Sequence, residues 1–198
     1  MPEAAHPELI QSGIPELPPL GDLHKRHFGL TPARCKSLAE AARVCLARSG
    51  RPPSVFTISD EAGVEDRVLR WRQPTARQMA AHANTRDATE EGAYIVCLSA
   101  VEARFGLVAY SRADEPSGAD YYVGPPGRTE DGSDDFEELI RLEVSGSEDA
   151  DESGLDRRLK EKVKQAERGE SSLPALAGVV GFAARRIAIA RAELTDGE

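Results

Sequence analysis

Apolar positions along the chain switch between two spacings, and the switches divide it into elements. Across "TPARCKSLAEAARVCLARSG", residues 31–50, Leu38, Ala41, Ala42, Cys45 and Leu46 recur at intervals of three and four, which lays one apolar stripe along a helix. Thr31 stands before Pro32 at its start and Gly50 after its end, giving an N-cap, a first-turn proline and a stop. The pattern then alternates through "PSVFTIS" and "EDRVLRWRQ" around "DEAG", which predicts a hairpin with Trp71 covering a core edge. Residues 73–87 are polar and without period, and read as a link. Helical spacing returns in "DATEEGAYIVCLSAVEARFG", which ends at Gly106 and turns Tyr94, Cys97, Leu98 and Val101 inward.

Three short strand-like runs follow, "LVAYSR", "ADYYVG" and "LIRLEVSG", the first two joined by the turn-rich "ADEPSG". After an acidic loop, "SGLDRRLKEKVKQAERGE" predicts a helix opened by Ser153 with Asp156 three residues later. "AGVVGFAARRIAIARAEL" supplies one or two β segments. Upstream of everything, the prolines and glycines of "GIPELPPLGD" suit an extended arm better than a helix. The expected class is mixed α/β. An extended arm covers 1–30, a helix and hairpin region 31–84, and a core over 85–198 runs helix, three strands, helix, strand. No internal repeat is present, and 198 residues hold one core of ordinary size.

Charge and composition narrow the function classes. Lys+Arg number 25 against 34 Asp+Glu, a formal net charge of -9, which argues against a broad electrostatic surface for nucleic acid. A nuclease is not excluded, because bound metal offsets the acids of such a site. No apolar run of about eighteen residues could span a bilayer, and "MPEAAHPELIQSG" lacks the order of a signal peptide. The expectation is a soluble, cytoplasmic protein with no membrane partner. Cys35, Cys45 and Cys97 are odd in number and lack CxxC spacing, so they read as reduced core residues. His24 and His27 form an HxxH pair with no further ligand at zinc spacing. "GSEDADESG" lacks calcium-loop spacing, no Walker lysine or dinucleotide glycine motif occurs, and no histidine lies near Ser145 or Ser147 for a triad.

Two acids stand out. Asp120 and Glu143 each interrupt an apolar strand-like run, and a carboxylate there is costly unless paired, hydrogen-bonded or holding a metal. On adjacent strands the two would repel and raise one pKa unless a cation lay between them, and oxygen-rich sites suit Mg2+ or Mn2+. The alternative places Glu143 on a solvent-facing edge strand, paired with Arg141 or an arginine of the last strand. The following helix bears on that choice. Leu155, Leu159, Lys162 and Ala166 share one stripe with Val163 on its flank, whereas Lys160 and Lys164 point to the far side. A lysine in mid-stripe must find an anion or reach water along its stem. Gln165 borders the same stripe.

These residues resemble the PD-(D/E)XK nuclease superfamily, with its restriction endonuclease-like core of helix, three strands, helix, strand, over about residues 85–192. The resemblance matches Glu90 to the acid on the first helix, with Glu91 as competitor, Asp120 to the Asp of the second strand, and Glu143 to the Glu of the third. Ser145 stands where the pattern has lysine, and Lys162 on the next helix would replace it. Gln165 resembles the glutamine some exonuclease-like members carry there. The resemblance implies a metal held by Asp120, Glu143 and the Val144 carbonyl with Glu90 directly or through water, Lys162 orienting or deprotonating the attacking water, and Gln165 positioning a phosphate or water. It implies Mg2+- or Mn2+-dependent cleavage of nucleic acid, DNA ahead of RNA, in restriction, repair or defence, and leaves a homodimer open. The rival expectation is a non-catalytic adaptor or immunity-type protein binding a basic partner protein. A weaker third is a divalent-metal hydrolase of a small phosphorylated substrate.

Overall fold

The computed structural model describes residues 13–114, 117–127, 139–169 and 171–192. The first twelve residues of the expected arm, part of the "ADEPSG" turn, the acidic stretch 128–138 and the end of the last β segment lie outside the described residues. The chain is of the mixed α/β class. In order it forms α1 (Pro32–Ser49), β1 (Ser54–Asp60), β2 (Gly63–Leu69), α2 (Ala76–Ala81), α3 (Thr85–Phe105), β3 (Val108–Arg112), β4 (Tyr121–Gly124), β5 (Ile140–Ser147), α4 (Glu152–Glu167), β6 (Ala175–Gly181) and β7 (Arg186–Ala192).

All seven strands make one sheet in the order β2-β1-β7-β6-β5-β4-β3. β3, β4 and β5 are an antiparallel meander. β5 and β6 are parallel, which needs a crossover, and α4 supplies it. β7 turns back antiparallel on β6 and pairs in parallel with β1, so the N-terminal hairpin extends the sheet that holds Asp120 and Glu143.

Several local expectations change. The last apolar run, read as one or two β segments, is two strands, one more than an order of helix, three strands, helix, strand has. The polar link at 73–87 contains α2, closed by a capping box in which Thr75 and Gln78 satisfy each other's backbone N–H. The arm winds into a 3-10 turn at Leu20–Lys25. α4 is capped by Asp151 rather than Ser153: the Asp151 carboxylate accepts from the Gly154 N–H at 2.8 Å and from the Ser153 hydroxyl at 3.1 Å. An ionised oxygen at the N-cap answers both the orphan amide and the helix dipole, so Ser153 becomes part of the first turn.

Helices cover both faces. α1 and α3 pack over one, with Leu38, Leu46, Phe56, Ile95, Leu98, Leu142 and Phe182 fully or almost fully buried. The approach is close where glycine allows it. A Cβ on Gly92 would lie 2.9 Å from Ala42 Cα, and one on Gly146 would lie 2.5 Å from the Thr89 carbonyl. α3 therefore lies directly on β5, which fixes the height of Glu90 and Tyr94 above that strand. The three cysteines are free and buried, and burial pushes the thiols of Cys45 and Cys97 up to about 11 and about 12. Trp71 covers a core edge, its Nε1 donating to Ser54 Oγ at 3.1 Å. No helix among the described residues is long and apolar enough to cross a membrane.

The HxxH pair is no ligand set, because His27 is inside the protein. Its Nδ1 accepts from the Ala109 N–H at 2.9 Å, which leaves Nε2 to donate to Glu102 Oε2, also at 2.9 Å. Burial holds its pKa below the ordinary 6.5 despite the neighbouring carboxylate. The unfolded chain thus binds a proton near 6.5 that the fold resists to lower pH, so stability is full above that value and lost as pH falls below it. Denaturant unfolding should show stability falling as pH drops from about 7.5 to about 5.5. His27→Gln, having no titrating ring, should flatten that slope; an unchanged slope would count against the assignment.

Candidate functional site

Strand alternation in β5 sends Leu142, Val144 and Gly146 toward α3, and Arg141, Glu143 and Ser145 toward α4. β5 lies between β4 and β6 rather than at an edge, and Glu143 is 4% exposed. The solvent-facing alternative for Glu143 is therefore wrong. Arg141 is not its partner either: this buried guanidinium donates to the carbonyls of Leu173, Ser117 and Ala166 at 3.0, 2.7 and 2.9 Å. By doing so Arg141 ties the turn before Asp120 to the end of α4.

β4 begins at Tyr121, so β5 runs past its neighbour's first residue and a cleft opens there. Asp120 stands at that point. Its N–H donates to the Leu142 carbonyl at 2.9 Å, and its Oδ2 accepts from the Val144 N–H at 2.8 Å. The side chain thus takes over where the backbone ladder stops. Within a strand a residue's N–H and C=O point to the same side, so the Val144 carbonyl also faces the Asp120 side of β5.

Glu143 accepts from Lys162 Nζ at 2.6 Å, and Lys162 donates also to Gln165 Oε1 at 3.0 Å. The ammonium in mid-stripe finds an anion, while Lys160 and Lys164 are exposed. Burial raises the Glu143 carboxyl above its ordinary value; Lys162 pulls against this and the negative charge of Asp120 adds to it.

From α3, the Tyr94 hydroxyl lies 2.9 Å from both Glu90 Oε1 and Asp120 Oδ1. One phenolic proton serves two carboxylates. Burial and the two acids push the Tyr94 pKa up, so the phenol stays protonated. Glu91, the competing helical acid, points elsewhere and accepts from Arg34 at 2.8 Å.

All six residues singled out from the sequence, Glu90, Asp120, Glu143, Val144, Lys162 and Gln165, line one open cleft of about 660 Å3. The convergence is tighter for some than for others. Among the described residues no group of three His, Cys, Asp or Glu side chains is placed to hold a metal, and Glu90 is separated from Asp120 by the Tyr94 hydroxyl. Two carboxylates and a carbonyl are the oxygens brought together.

Three further side chains belong to the site. Arg158 Nη1 donates to Ser145 Oγ at 3.1 Å, so a cation occupies the place where the strand has serine. Its sequence signal was its position one turn before Lys162. Tyr94 reads from spacing as an apolar inner residue, and its hydroxyl role needs the fold. Arg112, on β3, lies over the rings of Tyr94 and Tyr121 at 4.9 and 4.8 Å and 3.9 Å from Asp120 Oδ1; only the pairing of β3 with β4 brings it there.

The oxygens brought together are of the hard type, two carboxylates and a carbonyl. Lys162, Arg112 and Arg158 set three cations beside Glu90, Asp120 and Glu143, and the carboxylate and carbonyl oxygens of Asp120, Glu143 and Val144 are of the kind Mg2+ and Mn2+ prefer. No protein-family model matches this sequence, and no curated protein or solved structure matches the chain.

Proposed function

We propose that this protein is a metal-dependent nuclease of the PD-(D/E)XK type, hydrolysing phosphodiester bonds, with DNA as substrate ahead of RNA. The observation that carries the reading is the contact of Lys162 with Glu143 at 2.6 Å beside Asp120. An acid pair and a lysine drawn from three separate elements is the combination that metal-assisted phosphodiester hydrolysis uses.

Asp120, Glu143 and the Val144 carbonyl would hold Mg2+ or Mn2+, with Glu90 contributing through Tyr94 or a water. The cation, when bound, supplies a lowered water pKa and charge stabilisation at the scissile phosphate. The remaining roles belong to the chain. Lys162, beside Glu143, would orient the attacking water or neutralise charge developing on the phosphate. Gln165 holds the ammonium in place from one side and offers an amide N–H to a phosphate oxygen. Arg158, with donors beyond the one given to Ser145, meets a second non-bridging oxygen. The Val144 N–H fixes the Asp120 rotamer, so the acid is oriented before any ligand arrives.

Incubation with single-stranded DNA, duplex DNA and RNA in Mn2+ or Mg2+ tests this. DNA should be cut, and EDTA should stop it. Hydrolysis of a small phosphoester with every polynucleotide left intact would replace the reading by a small-substrate hydrolase. The net charge of -9 and Ser145 in the lysine position favour the adaptor reading; intact substrates together with a basic protein that co-purifies would establish it.

A further inference from the structure

A second groove, of about 780 Å3, lies away from the cleft in the N-terminal part of the chain. Its basic residues are Arg43 on α1 and Arg70 and Arg72 after β2, and Pro52 and Pro53 form part of its apolar floor. Arg70 is engaged with Glu16 at 2.7 Å, and Asp22, the groove's acid, with Lys25 at 2.6 Å. Arg43 and Arg72 have no hydrogen-bond or ion-pair partner among the described residues. Two uncommitted guanidiniums lining one groove with apolar proline rings are unusual in a chain with net charge -9, and they suit an anionic ligand that also carries apolar parts.

Sheet register relates the groove to the cleft. Ser147 pairs with Gly181, Gly181 with Arg186, and Arg186 with Thr57. The start of β1, next to the groove, therefore lies at the same end of the sheet as the end of β5, next to the cleft. More arginines lie between them. Arg48 reaches Glu148 at the cleft wall, and the Arg185 guanidinium lies over Gly50.

We propose that this groove anchors a single-stranded polynucleotide, with phosphates on Arg43 and Arg72 and bases against Pro52 and Pro53. The same strand then runs along the end of the sheet into the carboxylate cleft. A basic groove that tracks the phosphates is one half of how single strands are held without sequence preference, and the proline rings give the bases apolar surface to pack against. Without a divalent cation the cleft adds less to this hold, since Glu90, Asp120 and Glu143 offset the charge of its Lys162, Arg158 and Arg112. The inference rests on the nuclease reading for the identity of the ligand, but the groove needs no metal.

Fluorescence anisotropy of a fluorescein-labelled 20-mer of mixed sequence, in EDTA, separates the two. Arg43→Ala/Arg72→Ala should weaken binding at least tenfold and flatten the slope of log K against log salt by about 1.4, two phosphate contacts at roughly 0.7 each. Arg72→Glu, at an exposed position, should weaken it without touching the core. Unchanged affinity and slope in both variants would overturn the proposal. So would duplex DNA binding as tightly with the same arginine dependence, or poly-glutamate binding through Arg43 and Arg72 where the oligonucleotide does not, which would make the groove a protein-docking site. No cleavage in Mn2+ or Mg2+, with binding in EDTA retained, would instead count against the cleft alone.

Discussion

Asp120→Asn/Glu143→Gln is expected to bind no Mn2+ in a calorimetric titration in which the wild-type chain binds it, and to leave polynucleotides uncut. The double change removes both formal charges and little else. An asparagine oxygen still accepts from the Val144 N–H that Asp120 holds at 2.8 Å, and a glutamine oxygen still accepts from Lys162. Alanine would be a poorer test at 120, because it leaves the Val144 amide without its partner at a cost of about 1–3 kcal/mol. The folded state should therefore persist, and the cost of a buried Glu143 charge, raised in pKa by burial and further by Asp120, should be relieved. Melting temperature reads the same contrast: Mn2+ should raise it in the wild type and not in the variant, since a ligand stabilises only the state that binds it. Undiminished Mn2+ binding in the variant would remove the carboxylate pair from the site.

Much of this cleft was legible before any fold was known, and the reason is cost. A carboxylate inside an apolar strand and a lysine inside an apolar helical stripe are each unfavourable alone, so Glu143 and Lys162 advertised the need for partners, and the fold gives them to each other. Order along the chain was legible where apolar spacing was long, as in α1 and α3. What failed was local choice between equivalent signals. Asp151 and Ser153 are both good caps, and only the folded turn shows that Asp151 takes the Gly154 N–H. α2, at six residues, is too short to show a period. Long-range pairing left no trace either. Nothing near β1 signals that it lies parallel to β7, and Arg112 reaches the Tyr94 ring only through a β3–β4 register that contains a bulge. The other parts missed are those whose cause lies in a distant segment of chain.

Lys162→Met separates chemistry from metal binding. The methionine fills the same apolar stripe but cannot donate, so cleavage should fall by roughly 10^2- to 10^4-fold, the range for losing a group that moves or orients a proton, while Mn2+ still binds. Stability should also change in a readable way. Removing one member of a fully buried ion pair costs about 3–5 kcal/mol; the Lys162 side chain is 23% exposed and that of Glu143 6%, so the loss should be smaller, about 2 kcal/mol. It comes from stranding the Glu143 charge, not from losing a favourable bond. Adding Glu143→Gln to Lys162→Met should therefore recover most of the stability and none of the cleavage, a non-additivity that a double-mutant cycle measures. If Lys162→Met cut DNA at the wild-type rate, the ammonium would be only the counter-ion of Glu143, and the cation working on the phosphate would have to be Arg158, which reaches the cleft from one turn earlier on α4.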